Sequence, residues 1–253
     1  IGLCAALSSG RHGQRPRSVQ TFKKGPDYID PLWLSVAAGR PCYNLDFFLS
    51  PDGELRDQFA RHGHDAEVCL VEGNKGLYDG LDLEGSNSNA ALARLLDLPV
   101  VLVLDARGMT RGIAPLILGY QAFDRNIRIA GVILNRLGGT RHEAKLRAVI
   151  EHYTDVPVLG AVQEDAELAL VERHLHDALV DGLDLQVHLQ RGKALLGARD
   201  LEVHVAEVVF VTQDVGKYRE VVAFLDQTHG NAGDGCLERH AGVHQRERGA
   251  AHR

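Results

Sequence analysis

The stretch AEVCLVEG at residues 66–73 contains a continuous apolar run that ends at a carboxylate and a glycine. Apolar runs with polar ends recur in PVVLVLDARG at residues 99–108 and in IAGVILNR at residues 129–136, and VPVLG at residues 156–160 is a fourth, shorter run. Because these runs do not alternate between apolar and polar residues, they are typical of strands buried on both faces, as in a parallel sheet.

Segments of helical length separate these runs. They cover residues 87–96, 112–123 and 141–153. Alternating strands and helices indicate an α/β domain, because right-handed crossovers place helices on both faces of a parallel sheet. The sequence therefore predicts a doubly wound, mostly parallel α/β sheet within residues 1–175. An irregular extension of unknown role is predicted for residues 176–253, and disorder is predicted for residues 230–253 because this tail lacks a core pattern.

Polar side chains end three of the apolar runs, namely Glu72, Asp105 and Asn135. In open α/β sheets, ligands bind in the crevice at the carboxyl ends of the strands. We therefore expect these three side chains to project toward one crevice. The alternatives are local: Glu72 and Asn135 as ordinary polar ends of strands, and Asp105 as the N-cap of the following helix.

Composition excludes several classes of protein. The formal net charge of −6 argues against a nucleic-acid-binding surface spread over the whole chain. Since no apolar run reaches about 18 residues, a membrane-spanning helix is not expected. The four cysteines are widely scattered, without paired metal-ligand spacing, which predicts a protein of the reducing cytoplasm with neither disulfides nor a zinc site.

The segment KKGPDYIDP at residues 23–31 combines two lysines, two aspartates, one glycine and two prolines. Proline fixes its own φ and disfavours helix at the residue before it, so the segment is predicted to form a stiff, turned loop. Charges of both signs at this density favour a binding loop. A solvated turn is the alternative.

Five strings of this sequence resemble, in order and spacing, the cobyrinic acid a,c-diamide synthase family. They are FKKGPDYIDP at residues 22–31, VEGNKGLYDG at 71–80, GSNSN at 85–89, DARG at 105–108 and GVILNR at 131–136. The resemblance covers residues 1 to about 175. It implies a P-loop NTPase-like domain, similar to dethiobiotin synthetase, that uses ATP to amidate the a and c carboxylates of cobyrinate or hydrogenobyrinate through an acyl phosphate.

The resemblance also implies roles for the acidic and basic residues of these strings. Asp27 and Glu72 would hold Mg²⁺, a cation that prefers oxygen ligands, and would take part in catalysis. Lys23 would pair with an oxygen of the substrate carboxylate or of a phosphate. Asp79 would orient the second carboxylate or the attacking ammonia, with a plain Asp-Gly turn as the alternative.

Substrate and nucleotide contacts are implied in the same way. Tyr28, Ile29 and Asp30 would face the corrin substrate, and Asn135 would bind the adenine edge. The partners implied are the small-molecule corrin and ammonia derived from glutamine. No nucleic-acid or membrane partner is expected, and a homodimer is left open.

Two features of the family are not found among these 253 residues: the Walker A phosphate-binding loop and the glutamine amidotransferase domain. The resemblance predicts that the chain begins inside a domain, just after that loop. Three other functions therefore stay as alternatives: an inactive fragment, a relative acting on another tetrapyrrole acid, and a partner-binding ATPase.

Overall fold

A sheet forms the middle layer of the protein. The computed structural model describes residues 2–10, 15–164 and 208–212. Over these residues the backbone forms one seven-stranded sheet. Its strands, in chain order, are β1 (Val19–Lys24), β2 (Tyr43–Leu45), β3 (Val68–Glu72), β4 (Val100–Asp105), β5 (Ile129–Leu137), β6 (Val158–Gln163) and β7 (Val208–Thr212). Their spatial order is β2-β1-β3-β7-β4-β5-β6.

Helices cover both faces of this sheet. They are α1 (Gly2–Ser9), α2 (Ile29–Ala38), α3 (Asp52–Gly63), α4 (Asn89–Leu96), α5 (Ile113–Phe123) and α6 (Thr140–Tyr153). Leu7 of α1 and Leu34 of α2 pack into one buried apolar cluster, whereas Leu55, Leu92 and Leu146 of α3, α4 and α6 pack into another. The predicted α/β class, with helices on both faces, is confirmed. No helix in the described part of the chain is long and apolar enough to cross a bilayer.

One strand runs against the rest. β7 lies between β3 and β4 and is antiparallel to both, whereas the other pairings in the sheet are parallel. The sheet is thus mostly parallel, as predicted. This strand comes from the segment after residue 175, to which the sequence analysis gave no role. The predicted disordered tail, residues 230–253, lies outside the described residues.

The strand register decides which polar residues share a face. Lys23 is paired with Glu72 in the β1–β3 ladder, and Asp105 is paired with Asn135 in the β4–β5 ladder. Because side chains alternate along a strand, Glu72 projects to the same face as Leu70, which packs in the cluster beside α1 and α2. Lys23 therefore lies on this face too.

Two local features differ from the sequence prediction. The segment at residues 23–31 is not one loop, because Lys23 and Lys24 complete β1 and α2 begins at Ile29. Asp105 is not a helix N-cap: α5 begins at Ile113, and the Asp105 carboxylate instead accepts a hydrogen bond from the backbone of Arg107. The predicted helices agree with α4, α5 and α6 to within two residues.

Candidate functional site

Three carboxylates converge on the buried ammonium of Lys23 at the carboxyl ends of β1 and β3. Lys23 Nζ lies 2.7 Å from Asp30 Oδ2, 3.0 Å from Glu72 Oε1 and 4.0 Å from Asp27 Oδ2. It also donates a hydrogen bond to the carbonyl oxygen of Gly73 at 2.9 Å. The Lys23 and Glu72 side chains are only 5% and 6% exposed. We call Lys23, Asp27, Asp30 and Glu72 the Lys23 cluster.

The turn between β1 and α2 brings the two aspartates to this lysine. Gly25 adopts φ +84°, a left-handed conformation that glycine reaches without steric cost. Asp27 Oδ1 then accepts hydrogen bonds from the backbone N–H groups of Ile29 and Asp30, at 2.9 and 3.3 Å. These bonds satisfy N–H groups at the start of α2, and they fix the Asp27 carboxylate beside Lys23.

The charges of the cluster support one another. Burial lowers the pKa of Lys23, but the nearby carboxylates of Glu72 and Asp30 outweigh it and leave that pKa above its usual value. Burial likewise raises the pKa of Asp30, and the hydrogen bond and charge of Lys23 reverse this to a net lowering. One ammonium faces three carboxylates, so the cluster carries an excess of negative charge when all four groups are ionised.

These carboxylates are chemically suited to a hard cation. Mg²⁺ is commonly held by one or two carboxylates together with water and substrate phosphates, not by a cage of protein ligands alone. Among the described residues, no set of three or more His, Cys, Asp or Glu side chains is arranged as a metal cage. Asp27 and Glu72, whose carboxylates lie 4.0 and 3.0 Å from Lys23 Nζ, fit a site in which the cation is shared with water and substrate phosphates.

Asp105 and Asn135 lie at the same edge of the sheet but in a separate group. The Asp105 carboxylate forms ion pairs with Arg107 at 2.6 Å and Arg136 at 3.6 Å, and Asn135 Oδ1 accepts the backbone N–H of Arg136 at 3.0 Å. Three strand spacings of about 4.8 Å each, or roughly 14 Å, separate β5 from β3. The three side chains therefore share one edge of the sheet, as expected, and form two polar groups along it.

Asp79 lies in a third place, at a cavity of about 120 Å³. Lys24 and Lys75 line the same cavity. Asp79 Oδ2 accepts a hydrogen bond from the backbone N–H of Gly76 at 3.2 Å, which holds the turn after β3. None of the four residues of the Lys23 cluster lines this cavity, although Asp79 was assigned to one catalytic group with Lys23, Asp27 and Glu72 by resemblance.

The three residues expected to face a substrate are placed differently from one another. The Tyr28 side chain is exposed, and Ile29, the first residue of α2, is half-buried. Asp30 instead turns toward Lys23 and forms the shortest ion pair of the cluster.

Asn89, a fully buried residue in the first turn of α4, was not among the predicted site residues. Its Nδ2 group donates to the carbonyl oxygens of Asn74, Lys75 and Gly76 at 2.6, 3.1 and 3.2 Å. Its Oδ1 atom accepts the backbone N–H of Asn74 at 3.2 Å. Asn89 thus fixes the loop after β3, in which Lys75 adopts a left-handed φ of 56°. The string GSNSN contains Asn89, but nothing local in it indicates this long-range role.

Comparison with known proteins agrees with this architecture. A family model described as an AAA domain matches residues 55–171. The cobyrinate a,c-diamide synthase of Magnetococcus marinus is 48% identical over 175 residues, which are 69% of this chain and 36% of that protein. The synthase of Syntrophotalea carbinolica is 45% identical over 69% of this chain and 37% of its own length. That of Methanosarcina acetivorans is 39% identical over 87% of this chain and 43% of its own length.

The chain spans less than half the length of these relatives. The family resemblance expected from the sequence is confirmed, together with the P-loop NTPase-like α/β fold that it implied. Over the part that it spans, the chain is a homologue of the cobyrinate a,c-diamide synthases.

Proposed function

We propose that this chain carries the nucleotide- and corrin-binding part of an ATP-dependent amidoligase. Its reaction would amidate the a and c carboxylates of cobyrinate or hydrogenobyrinate with ammonia derived from glutamine. The observation that carries the proposal is the Lys23 cluster, in which one buried cation and three carboxylates meet at the ligand-binding edge of an α/β sheet. The names of the homologues support the choice of substrate.

The chemistry explains why such a cluster is needed. A carboxylate does not react with ammonia at neutral pH because its oxygen is a poor leaving group. Transfer of the terminal phosphoryl group of ATP to that oxygen gives an acyl phosphate and ADP. Ammonia then attacks the carbonyl carbon, so that the carbon–nitrogen bond forms and the bond to phosphate breaks. The protein's part in phosphoryl transfer is mainly positioning and charge neutralisation.

Lys23 supplies the fixed positive charge. Its ammonium stays protonated because Glu72 and Asp30 hold its pKa above the usual value. In this role it would donate to an oxygen of the transferred phosphoryl group or of the substrate carboxylate. Because the stem of Lys23 is buried in β1, the ammonium enters this arrangement with little rotamer freedom left to lose.

Asp27 and Glu72 would hold Mg²⁺, which when bound neutralises charge on phosphate oxygens. Both are hard oxygen donors, and their cluster has an excess of negative charge. The backbone hydrogen bonds at the start of α2 hold Asp27 in place, and the pairing with Lys23 does the same for Glu72. Each donor is therefore positioned before a ligand arrives.

The remaining residues would contact the adenine, the corrin and the second reacting group. Asn135, a buried residue at the end of β5, would hydrogen-bond the adenine edge. The separation of roughly 14 Å between β3, which carries Glu72, and β5, which carries Asn135, suits a nucleotide whose base and phosphates lie far apart. Tyr28 and Ile29 would contact the corrin. Asp79 would orient the second carboxylate or the ammonia that attacks it.

Replacement of Glu72 with Gln tests this proposal. The purified chain is given ATP, Mg²⁺, cobyrinate and ammonium chloride, which supplies ammonia directly, and amide and ADP are measured by mass spectrometry and chromatography. Since Glu72→Gln keeps the shape but loses the charge that binds the cation, we expect ATP-dependent amide formation to be abolished. Calorimetry should show that Mg²⁺-dependent ATP affinity falls at least about tenfold.

Asp57→Asn is the matched control, because Asp57 is an exposed carboxylate on α3. Both variants are compared with the unmodified chain by circular dichroism to show that the fold is kept. Unchanged turnover and ATP binding in Glu72→Gln would remove Glu72 from the mechanism.

A further inference from the structure

Lys24 is a second buried lysine whose charge the Lys23 cluster does not use. It follows Lys23 in β1, so its side chain projects to the opposite face of the sheet. This is the face of Phe22, which packs in the apolar cluster beside α3, α4 and α6. Lys24 is 7% exposed, and its ammonium donates to Asn74 Oδ1 at 3.0 Å. In the described part of the chain, no carboxylate forms an ion pair with it.

Two lysines, Lys24 and Lys75, and two carboxylates, Asp46 and Asp79, line the cavity, and each carboxylate accepts a backbone N–H. Burial lowers the pKa of this lysine, the carboxylate of Asp46 acts in the opposite direction, and the charges of Lys75 and Lys23 lower it further. Asp46 is itself engaged, because its Oδ1 atom accepts the backbone N–H of Phe48 at 2.9 Å. A carboxylate placed beside Lys24 and Lys75 would relieve the burial of one cation and the repulsion between the two.

The cavity at Lys24 has the size of a side arm and not of a whole macrocycle. Its volume is about 120 Å³. A protein cavity of ~150 Å³ is filled by one benzene molecule. A carboxylate on a short carbon chain therefore fits, whereas the ring that carries such an arm has to remain outside.

Two large apolar side chains form part of the lining of this cavity. Phe48 and Leu81 both line it, and their side chains are 70% and 69% exposed. Exposed large apolar side chains beside a buried cation are suited to a ligand with an apolar body and a charged arm. Asn89 holds the loop that carries Lys75, so the backbone of this exposed lysine has a defined position.

We propose that Lys24, assisted by Lys75, binds one carboxylate arm of a polycarboxylate macrocycle whose ring rests against Phe48 and Leu81. This inference rests on the proposed function and names a specificity-determining residue for its substrate. While it is held here, this arm does not receive the phosphoryl group, because Lys24 and Lys23 project to opposite faces of β1. It corresponds to the second carboxylate of the proposed function, which Asp79 in the same cavity would orient. A substrate with several carboxylates is needed for one arm to anchor while another reacts.

Replacement of Lys24 with Met tests the proposal, because methionine keeps most of the length but not the charge. Equilibrium binding of cobyrinate, measured by its absorbance, should weaken about tenfold or more, since a charge-assisted hydrogen bond is lost. Lys75→Met, a change at an exposed loop residue, should weaken binding less. Mg²⁺-dependent ATP binding should be unchanged in both variants. Lys145→Met, at an exposed position on α6, is the control and should bind cobyrinate like the unmodified chain.

The fully esterified macrocycle separates charge recognition from contact with the ring. It should bind the unmodified chain weakly and be indifferent to Lys24→Met, because an ester carries no charge for the lysine to meet. Equal cobyrinate affinity in the unmodified chain, Lys24→Met and Lys75→Met would overturn this inference and leave the proposed function standing. Absence of cobyrinate binding by the unmodified chain would overturn both. If Lys24→Met does not fold, the cobyrinate affinity of Lys75→Met and the binding of the ester to the unmodified chain test the inference.

Discussion

Lys23 and Lys24 are neighbours in the sequence, yet they lie in two regions with different charge balance. The Lys23 ammonium is surrounded by three carboxylates, within 2.7 to 4.0 Å. The Lys24 ammonium has an amide oxygen as its hydrogen-bond partner and a second lysine nearby. The sheet separates them because consecutive side chains of a strand project to opposite faces. One strand end thus positions two buried ammonium groups on opposite faces of the sheet, one for the proposed phosphate contact and one for the proposed binding of a carboxylate.

The comparison also shows what burial does to each lysine. Burial lowers the pKa of both, and only at Lys23 do carboxylates reverse the direction. Carboxylates of the fold therefore stabilise the charge of Lys23, whereas at Lys24 burial outweighs the effect of the Asp46 carboxylate. This difference predicts different responses to the same substitution.

The largest effect is expected from removal of the Lys23 charge. Lys23→Met leaves Glu72 buried without its cation, which should lower the free energy of unfolding by about 3–5 kcal/mol. Lys24→Met removes a charge that no carboxylate of the described chain pairs with, so its cost should be far smaller. Urea unfolding monitored by circular dichroism measures both values. An equal decrease in the free energy of unfolding of the two variants would contradict the difference between the two lysines.

A smaller effect is expected from Asn89→Ala. This change leaves the carbonyl oxygens of the loop after β3 without their buried donor, which should lower the free energy of unfolding by about 2 kcal/mol. The same loop carries Lys75, so cobyrinate binding should weaken as well. Asn126→Ala, at an exposed loop position, is the control. A stable Asn89→Ala variant with unaltered binding would show that the loop keeps its conformation without this side chain.

The smallest effect is a pH dependence of opposite sign at the two lysines. The pKa of Lys24 is lowered in the folded state, so folding releases protons and stability should rise with pH toward the ordinary value of 10.5. The pKa of Lys23 is raised, so its contribution is present below 10.5 and lost as pH increases through its higher folded value. Urea unfolding at a series of alkaline pH values measures both slopes.

Variants show which residue causes each slope of the free energy of unfolding against pH. Lys24→Met should abolish the rise below pH 10.5, and Lys23→Met should abolish the loss above it. At the acidic end, the lowered pKa of Asp30 gives stability that is present above its ordinary value of 3.8 and lost as pH decreases through the folded value. A rise that persists in Lys24→Met would assign it to another group.

Much of the fold was predictable because it is encoded locally. Continuous apolar runs predicted β3, β4, β5 and β6, and helical periodicity predicted α4, α5 and α6. The strand ends also placed Glu72, Asp105 and Asn135 at one edge, since parallel strands align their carboxyl ends. The roles assigned to these residues stay predictions.

The remaining features depend on contacts between distant segments. The antiparallel strand β7 lies 103 residues after the end of β4, counted from Asp105 to Val208, and no local pattern specifies which strands it pairs with. The convergence of Asp30 and Glu72 on Lys23 similarly depends on the β1–β3 register and on the turn at Gly25. Asn89 contacts residues 13 to 15 positions earlier in the chain.

The amino-acid sequence by itself determined the layered α/β architecture, the family resemblance and the identity of the charged residues at the strand ends, because apolar periodicity and short motifs are local properties. Only the tertiary structure decided that Lys23 joins three carboxylates while Lys24 enters a separate cavity with Asp79. The physical reason is that partners of a buried charge are chosen by strand register and sheet face, which are set when distant segments pack together.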